Sequence, residues 1–203
     1  LVDCLPYKKG VNIMGAMKIP EGATPDSTVI TFVYAHEGKE IEFTIDKFPS
    51  DFNDTTYTFI KRYDKLVREG NAKPAINDFS LANRQGEPVT ETILLAEGYK
   101  LLLFVKEGYP EGEWQEFAQL IAQQAYNTGI ARILVTSSAL DKLYTKPPPA
   151  FYRFEPVLCD AVALKTAART NPTLYLLNKD TIVQKWAYTD FEDALKYVRN
   201  LYK

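Results

Sequence analysis

Residues 101–105 read Leu-Leu-Leu-Phe-Val, an apolar run with no polar interruption. A strand covered on both faces needs that pattern, whereas a strand with one wet face alternates. The run stops in the turn KEGYPEGE, residues 106–113. Apolar residues then recur at helical spacing, at Trp114, Phe117, Leu120, Ile121 and Ala125, with Gly129 as a stop. A second buried strand, ARILVTS, follows at residues 131–137. Strand, helix and strand in this order predict a parallel crossover unit with its helix packed on a sheet.

The rest of the C-terminal part continues the pattern. After the stiff run Pro147, Pro148 and Pro149, EPVLCD predicts a short strand and AVALKTAART a short helix. PTLYLLN and TIVQKWAY predict strands joined by a tight turn at Asn178, Lys179 and Asp180. The closing segment TDFEDALKYVRNLYK predicts a helix. Thr189 and Glu192 have capping-box spacing, and Phe191, Ala194, Leu195, Val198 and Tyr202 form the apolar stripe. A parallel βαβ unit followed by an antiparallel ββα ending makes an α/β sandwich with helices on both faces.

Upstream, residues 1–26 are broken by prolines and glycines, and residues 29–46 predict a β-hairpin turning at Glu37, Gly38 and Lys39. Residues 57–67 fit a helix face and an extended strand equally, and the pattern leaves both open. Gly70, Asn71 and Pro74 mark a boundary, so the expected organisation is an N-terminal extension, residues 1–73, and a domain of residues 74–203. The chain begins at Leu1 rather than Met, which reads as a piece of something longer, with room for an anchor upstream.

A net charge of −2 without a basic stripe gives no footprint for nucleic acid. No apolar run approaches the roughly 18 residues of a membrane helix. Two cysteines, Cys4 and Cys159, and one histidine, His36, argue against a disulfide framework, a metal site or a histidine-based triad; no cofactor is expected. His36, beside the hairpin turn, reads as an exposed polar residue.

The order from residue 74 onward resembles the thioredoxin superfamily, in particular its TlpA-like extracytoplasmic branch. PAINDFSLANRQGEPVTE is similar to that branch's opening, KLLLFVKEGYPE to its central strand and redox turn, and EPVLCDAVALKTAARTNPTLYLLNKDTIVQKW to the stretch around its cis-proline. The resemblance implies a three-layer thioredoxin-like sandwich with a hairpin extension, and a cis-proline at Pro172 preceded by Asn171. It places Gly108 and Glu111 where the two redox cysteines would lie, with Tyr109 and Pro110 between. Disulfide exchange needs a thiolate and a second resolving thiol. Gly108 and Glu111 supply neither, so ordinary CxxC chemistry is excluded. In the N-terminal half, DCLPYKKGVNI, KIPEGA and YAHEGKE, together with TNPTLYLLNKDTIVQKW, resemble the soluble C-terminal part of DoxX-like membrane proteins. That resemblance implies a bacterial periplasmic location, tethered to the inner membrane.

The resulting expectation is a redox-inactive interaction or scaffold domain. Gly108, Tyr109, Pro110, Glu111, Asn171 and Pro172 would bind an extended polypeptide, from a protein partner or from the chain's own transmembrane region. The alternative is an atypical oxidoreductase acting through Cys159, with Lys165, Arg169 or the following helix lowering its pKa and Cys4, or a cysteine outside this sequence, as resolver. Tyr109, Trp114, Tyr175, Trp186 and Tyr188 would form either a recognition surface or packing. Ser137 and Ser138 have no nucleophile elbow around them and no suitable histidine.

Overall fold

The computed structural model describes residues 6–53, 55–137 and 148–202. Cys4, Ser138 and Pro147 fall outside them. The chain divides into two compact units. One is built of residues up to Lys18 together with those from Pro74 onward, and the other of Ile19–Lys73.

In the second unit, β1 (Ser27–His36) pairs antiparallel with β2 (Lys39–Thr44) and with β3 (Thr58–Arg68), in the order β2-β1-β3. The open question of residues 57–67 is thereby settled as strand. β-Branched and aromatic residues supply the extended preference, and pairing along β1 outweighs the helical spacing. One face is packed with rings: Tyr34 lies 5.6 Å from Phe43 and 5.1 Å from Phe52, and Phe48 lies 4.8 Å from Phe52. His36 is not a plain surface residue, because its ring stacks on Tyr57 at 4.0 Å and its Nδ1 lies 3.1 Å from the Thr56 carbonyl oxygen. At the neck of this unit, Gly70 is obligatory. A Cβ there would sit 2.1 Å from the Thr24 carbonyl oxygen, while the Gly70 N–H donates to Asp26 at 2.8 Å.

The first unit begins with the short helix α1 (Ile13–Ala16) and continues with β4 (Leu81–Ala82), α2 (Thr90–Leu95), β5 (Tyr99–Val105), α3 (Trp114–Asn127) and β6 (Ala131–Thr136). A 3₁₀ turn (Pro149–Arg153) leads to β7 (Glu155–Cys159), α4 (Ala161–Ala167), β8 (Thr173–Asn178), β9 (Thr181–Ala187) and α5 (Phe191–Asn200). The sheet order is β4-β7-β6-β5-β8-β9; β5, β6 and β7 run parallel, whereas β8 opposes β5. This is the expected α/β class, a thioredoxin-like three-layer sandwich. The apolar run of β5 feeds both cores. Leu101, Leu103 and Val105 pack with α3 and α5, while Leu102 and Phe104 pack with Tyr7, Phe79, Leu164 and Tyr175 on the other face.

Several local expectations change. The buried stripe of α3 is Trp114, Ala118, Ile121, Ala122 and Ala125, while Leu120 is exposed, because the helical period turns it away from that stripe. The capping box at Thr189 and Glu192 does not form. A 3₁₀ turn (Tyr188–Asp190) precedes α5, and the Thr189 hydroxyl lies 3.1 Å from Asp190 Oδ1 instead. Tyr202 lies beyond α5 and is exposed. The irregular N-terminus is not separate from the second half: Gly10 N–H donates to Ile182 O at 2.7 Å, Ile182 N–H to Val11 O at 2.9 Å and Ile13 N–H to Asp180 O at 2.8 Å. Residues 10–13 thus line the outer edge of β9, and Tyr7 and Ile13 enter the core. Lys100, buried at the start of β5, donates to the carbonyls of Leu94, Ala96 and Lys179 at 3.1, 2.7 and 2.7 Å. Its charge is held by three acceptors, and burial lowers its pKa.

Candidate functional site

The site expected from the sequence lies where β5 ends and β8 begins. The two strands pair as far as Phe104 with Thr173. Two residues further, the same register would place Lys106 opposite Asn171. There the Asn171 side-chain amide takes over the ladder. Its Oδ1 accepts from the Lys106 N–H at 2.8 Å, and its Nδ2 donates to the Lys106 and Glu107 carbonyls at 3.1 and 3.3 Å. An amide carries a donor and an acceptor as a peptide group does, so asparagine can stand in for a backbone partner. The Asn171–Pro172 peptide is cis. Pro172 is buried, and its carbonyl accepts from the Tyr188 N–H at 3.2 Å and the Thr170 hydroxyl at 3.2 Å.

The turn carrying Gly108, Tyr109, Pro110 and Glu111 is therefore anchored at its start by Asn171. Its far end is fixed by Trp114, whose indole N–H donates to the Pro110 carbonyl at 2.7 Å. Tyr109 is half-buried, edge-on to Trp114 and Phe151 with centroids 6.0 and 5.5 Å away. Burial raises its pKa, and Glu111 adds to the effect. Gly108 has φ +70 with nothing near its missing Cβ, so the turn conformation selects glycine although the space is open. Gly108 and Glu111 are both exposed. The structure thus brings together the turn, Asn171 and Pro172. Of the other aromatics, Trp114, Tyr175 and Trp186 are buried and Tyr188 is half-buried, so most of them pack the core.

Cys159 is not part of this cluster. It ends β7, which β6 separates from β5. The residue is only 7% exposed and packs in the core with Tyr7 and Leu81. Burial, and secondarily Asp160, pushes its thiol up to about 12. A reactive thiol must be accessible and acidic, and Cys159 meets neither condition. Lys165 and Arg169 do not act on it as expected. They flank Ala168, whose carbonyl accepts from Lys106 Nζ at 2.7 Å, and after burial they further lower the pKa of Lys106. Lys106 is the site residue that sequence reasoning passed over. A single lysine after an apolar strand carries no pattern, and its partners lie 62 or more residues away. Among the described residues, no three His, Cys, Asp or Glu side chains gather as metal ligands.

A family model described as a domain of unknown function, DUF8463, matches residues 28–69, which are β1 to β3 and the loops between them. No curated protein matches the chain. Several solved structures are similar over its larger part. A Bacteroides sp. thiol:disulfide interchange protein is 14% identical, covering 63% of this chain and 90% of its own, with a TM-score of 0.44. Arabidopsis thaliana ScoI, solved with copper bound, is 16% identical over 61% of this chain and 97% of its own, with a TM-score of 0.42. A secreted Mycobacterium tuberculosis disulfide oxidoreductase homologous to E. coli DsbE is 14% identical over 60% and 94%, with a TM-score of 0.42. No helix among the described residues is long and apolar enough to cross a membrane.

Proposed function

We propose that the thioredoxin-like unit is a redox-inactive interaction domain. It binds an extended polypeptide at the turn of Gly108, Tyr109, Pro110 and Glu111, beside Asn171 and Pro172. The polypeptide comes from a partner protein or from a membrane part of the same chain. The observation that carries this reading is the clamp of Asn171 on Lys106 and Glu107, which holds an exposed, thiol-free turn in one conformation. A preorganised surface turn favours recognition, since less ordering is needed on binding. The resemblance to DoxX-like proteins supports a periplasmic location with tethering to the inner membrane. Thiol chemistry through Cys159 is disfavoured by its burial and its raised pKa.

A photo-crosslinking side chain at exposed Glu111 tests this reading in cells, with Glu155, exposed at the start of β7, as the control. The expected result is a discrete adduct or an intramolecular band shift from Glu111 alone, diminished by Asn171→Ala. Equal labelling from both positions, or none, would sink it.

A further inference from the structure

The sheet edges of the thioredoxin-like unit are occupied, β9 by residues 10–13 and β7 by β4. The other unit is different. Its strand β3 spans Thr58–Arg68 at the outside of β2-β1-β3, and no described strand pairs with its outer edge. Phe59, Ile60, Leu66 and Val67 are 53, 41, 51 and 63% exposed, a large apolar content for a solvent-facing edge. Native edge strands of this length invite pairing with another strand unless something blocks them.

The order of residues along β3 specifies which strand would fit. In an antiparallel pair related by a two-fold axis, side chains that face each other must share a sheet face, so one residue lies opposite its own copy. An axis at Lys61, Arg62, Asp64 or Lys65 would set a charge against itself. With the axis at Tyr63, Arg62 faces Asp64, and the exposed Leu66 of each strand lies near the start of the other. The two irregularities of the β1–β3 ladder fall at Ile60 and Val67, which have no partner on β1 and leave residues 61–66 as the regular stretch around Tyr63. Among the described residues, neither Arg62 nor Asp64 is engaged in an ion pair or a side-chain hydrogen bond. The one unfavourable match is Lys61 with Lys65. Both lie on the face where Tyr63 donates to Glu42 Oε2 at 2.9 Å, near a carboxylate, and their long stems let the ammonium groups diverge. On the opposite edge, β2, an axis at Ile41 sets Glu40 against Glu42.

We propose that β3 is a self-association edge, at which a second copy of this chain pairs antiparallel about Tyr63 to join two three-stranded sheets into one. The reciprocal Arg62–Asp64 pairs fix the register. A single strand seam lies at the small end of the interface range, so the dimer is concentration-dependent rather than obligate.

Sedimentation velocity on the full chain over a wide concentration series tests this, with circular dichroism confirming that each variant is folded. The wild type is expected to shift from monomer to dimer. Asp64→Arg places arginines opposite each other twice and is expected to weaken the dimer by about tenfold or more. Combining Asp64→Arg with Arg62→Asp restores the complement and is expected to recover dimerisation. A chain that stays monomeric throughout overturns the proposal. So does a dimer indifferent to Asp64→Arg, or a double variant as weak as the single one.

Discussion

Asn171 carries more of the candidate site than any other side chain, because it satisfies the backbone of Lys106 from both sides. The isosteric change Asn171→Asp keeps the acceptor but removes the donor and sets a carboxylate against two carbonyl oxygens. It is expected to cost about 2 kcal/mol at neutral pH. The charged form of the new carboxyl is disfavoured in the folded state, so its folded pKa is raised. The deficit relative to wild type should therefore shrink as pH falls and the group protonates. Urea unfolding of both chains across pH checks the sign. At Cys159, a thiol moved from 9.0 to about 12 holds about a thousandfold less thiolate at neutral pH. With Cys4 replaced by serine, iodoacetamide should modify Cys159 only after unfolding. Rapid native alkylation would return the protein to the thiol enzymes.

Among the elements, α4 shows how a short helix is held without a strong stripe. Asp160 is its N-cap, accepting from the N–H groups of Val162 and Ala163 at 2.7 and 3.1 Å. These bonds lower the carboxyl pKa. A depressed folded pKa means that the stabilisation is fully present above the unfolded value of about 3.9 and is lost as pH falls through the folded one. Asp160→Asn keeps the cap without the titration. Its unfolding midpoint should therefore fall less steeply below pH 4 than that of the wild type, as urea titrations at a series of pH values would show. The strands were the most legible elements. The buried runs of β5 and β6, the hairpin of β1 and β2, and the tight turn between β8 and β9 all follow from period and turn chemistry. The short helices α1 and α2 were not visible, since four and six residues span too few turns to show a period.

For the whole molecule, the boundary near Pro74 coincides with a division between units, but the first residues belong with the last ones. The Ile76 N–H donates to the Ala16 carbonyl at 3.0 Å, so the chain leaves and re-enters the thioredoxin-like unit at neighbouring points. Replacing Ile19–Lys73 by a short Gly-Ser linker should leave that unit folded, with one cooperative thermal transition and native near-ultraviolet dichroism. Removing residues 1–18 instead should abolish the transition, because Tyr7 and Ile13 leave the core and the edge of β9 is uncovered. Survival of the second deletion and loss of the first would reverse the assignment.

What was readable along the chain depends on neighbours in sequence. Apolar period marked the covered strands, and glycine and proline marked the turns. Long-range partners decided the rest. Residues 57–67 became a strand because β1 offered a ladder, and residues 10–13 joined the sheet because β9 left an edge to cover. Cys159 became a buried thiol because the core around Tyr7 and Leu81 closes over it, and Asn171 became the clamp because its register brings it opposite Lys106. Burial and hydrogen-bond partnership depend on atoms far apart in the chain, and a linear pattern does not contain them.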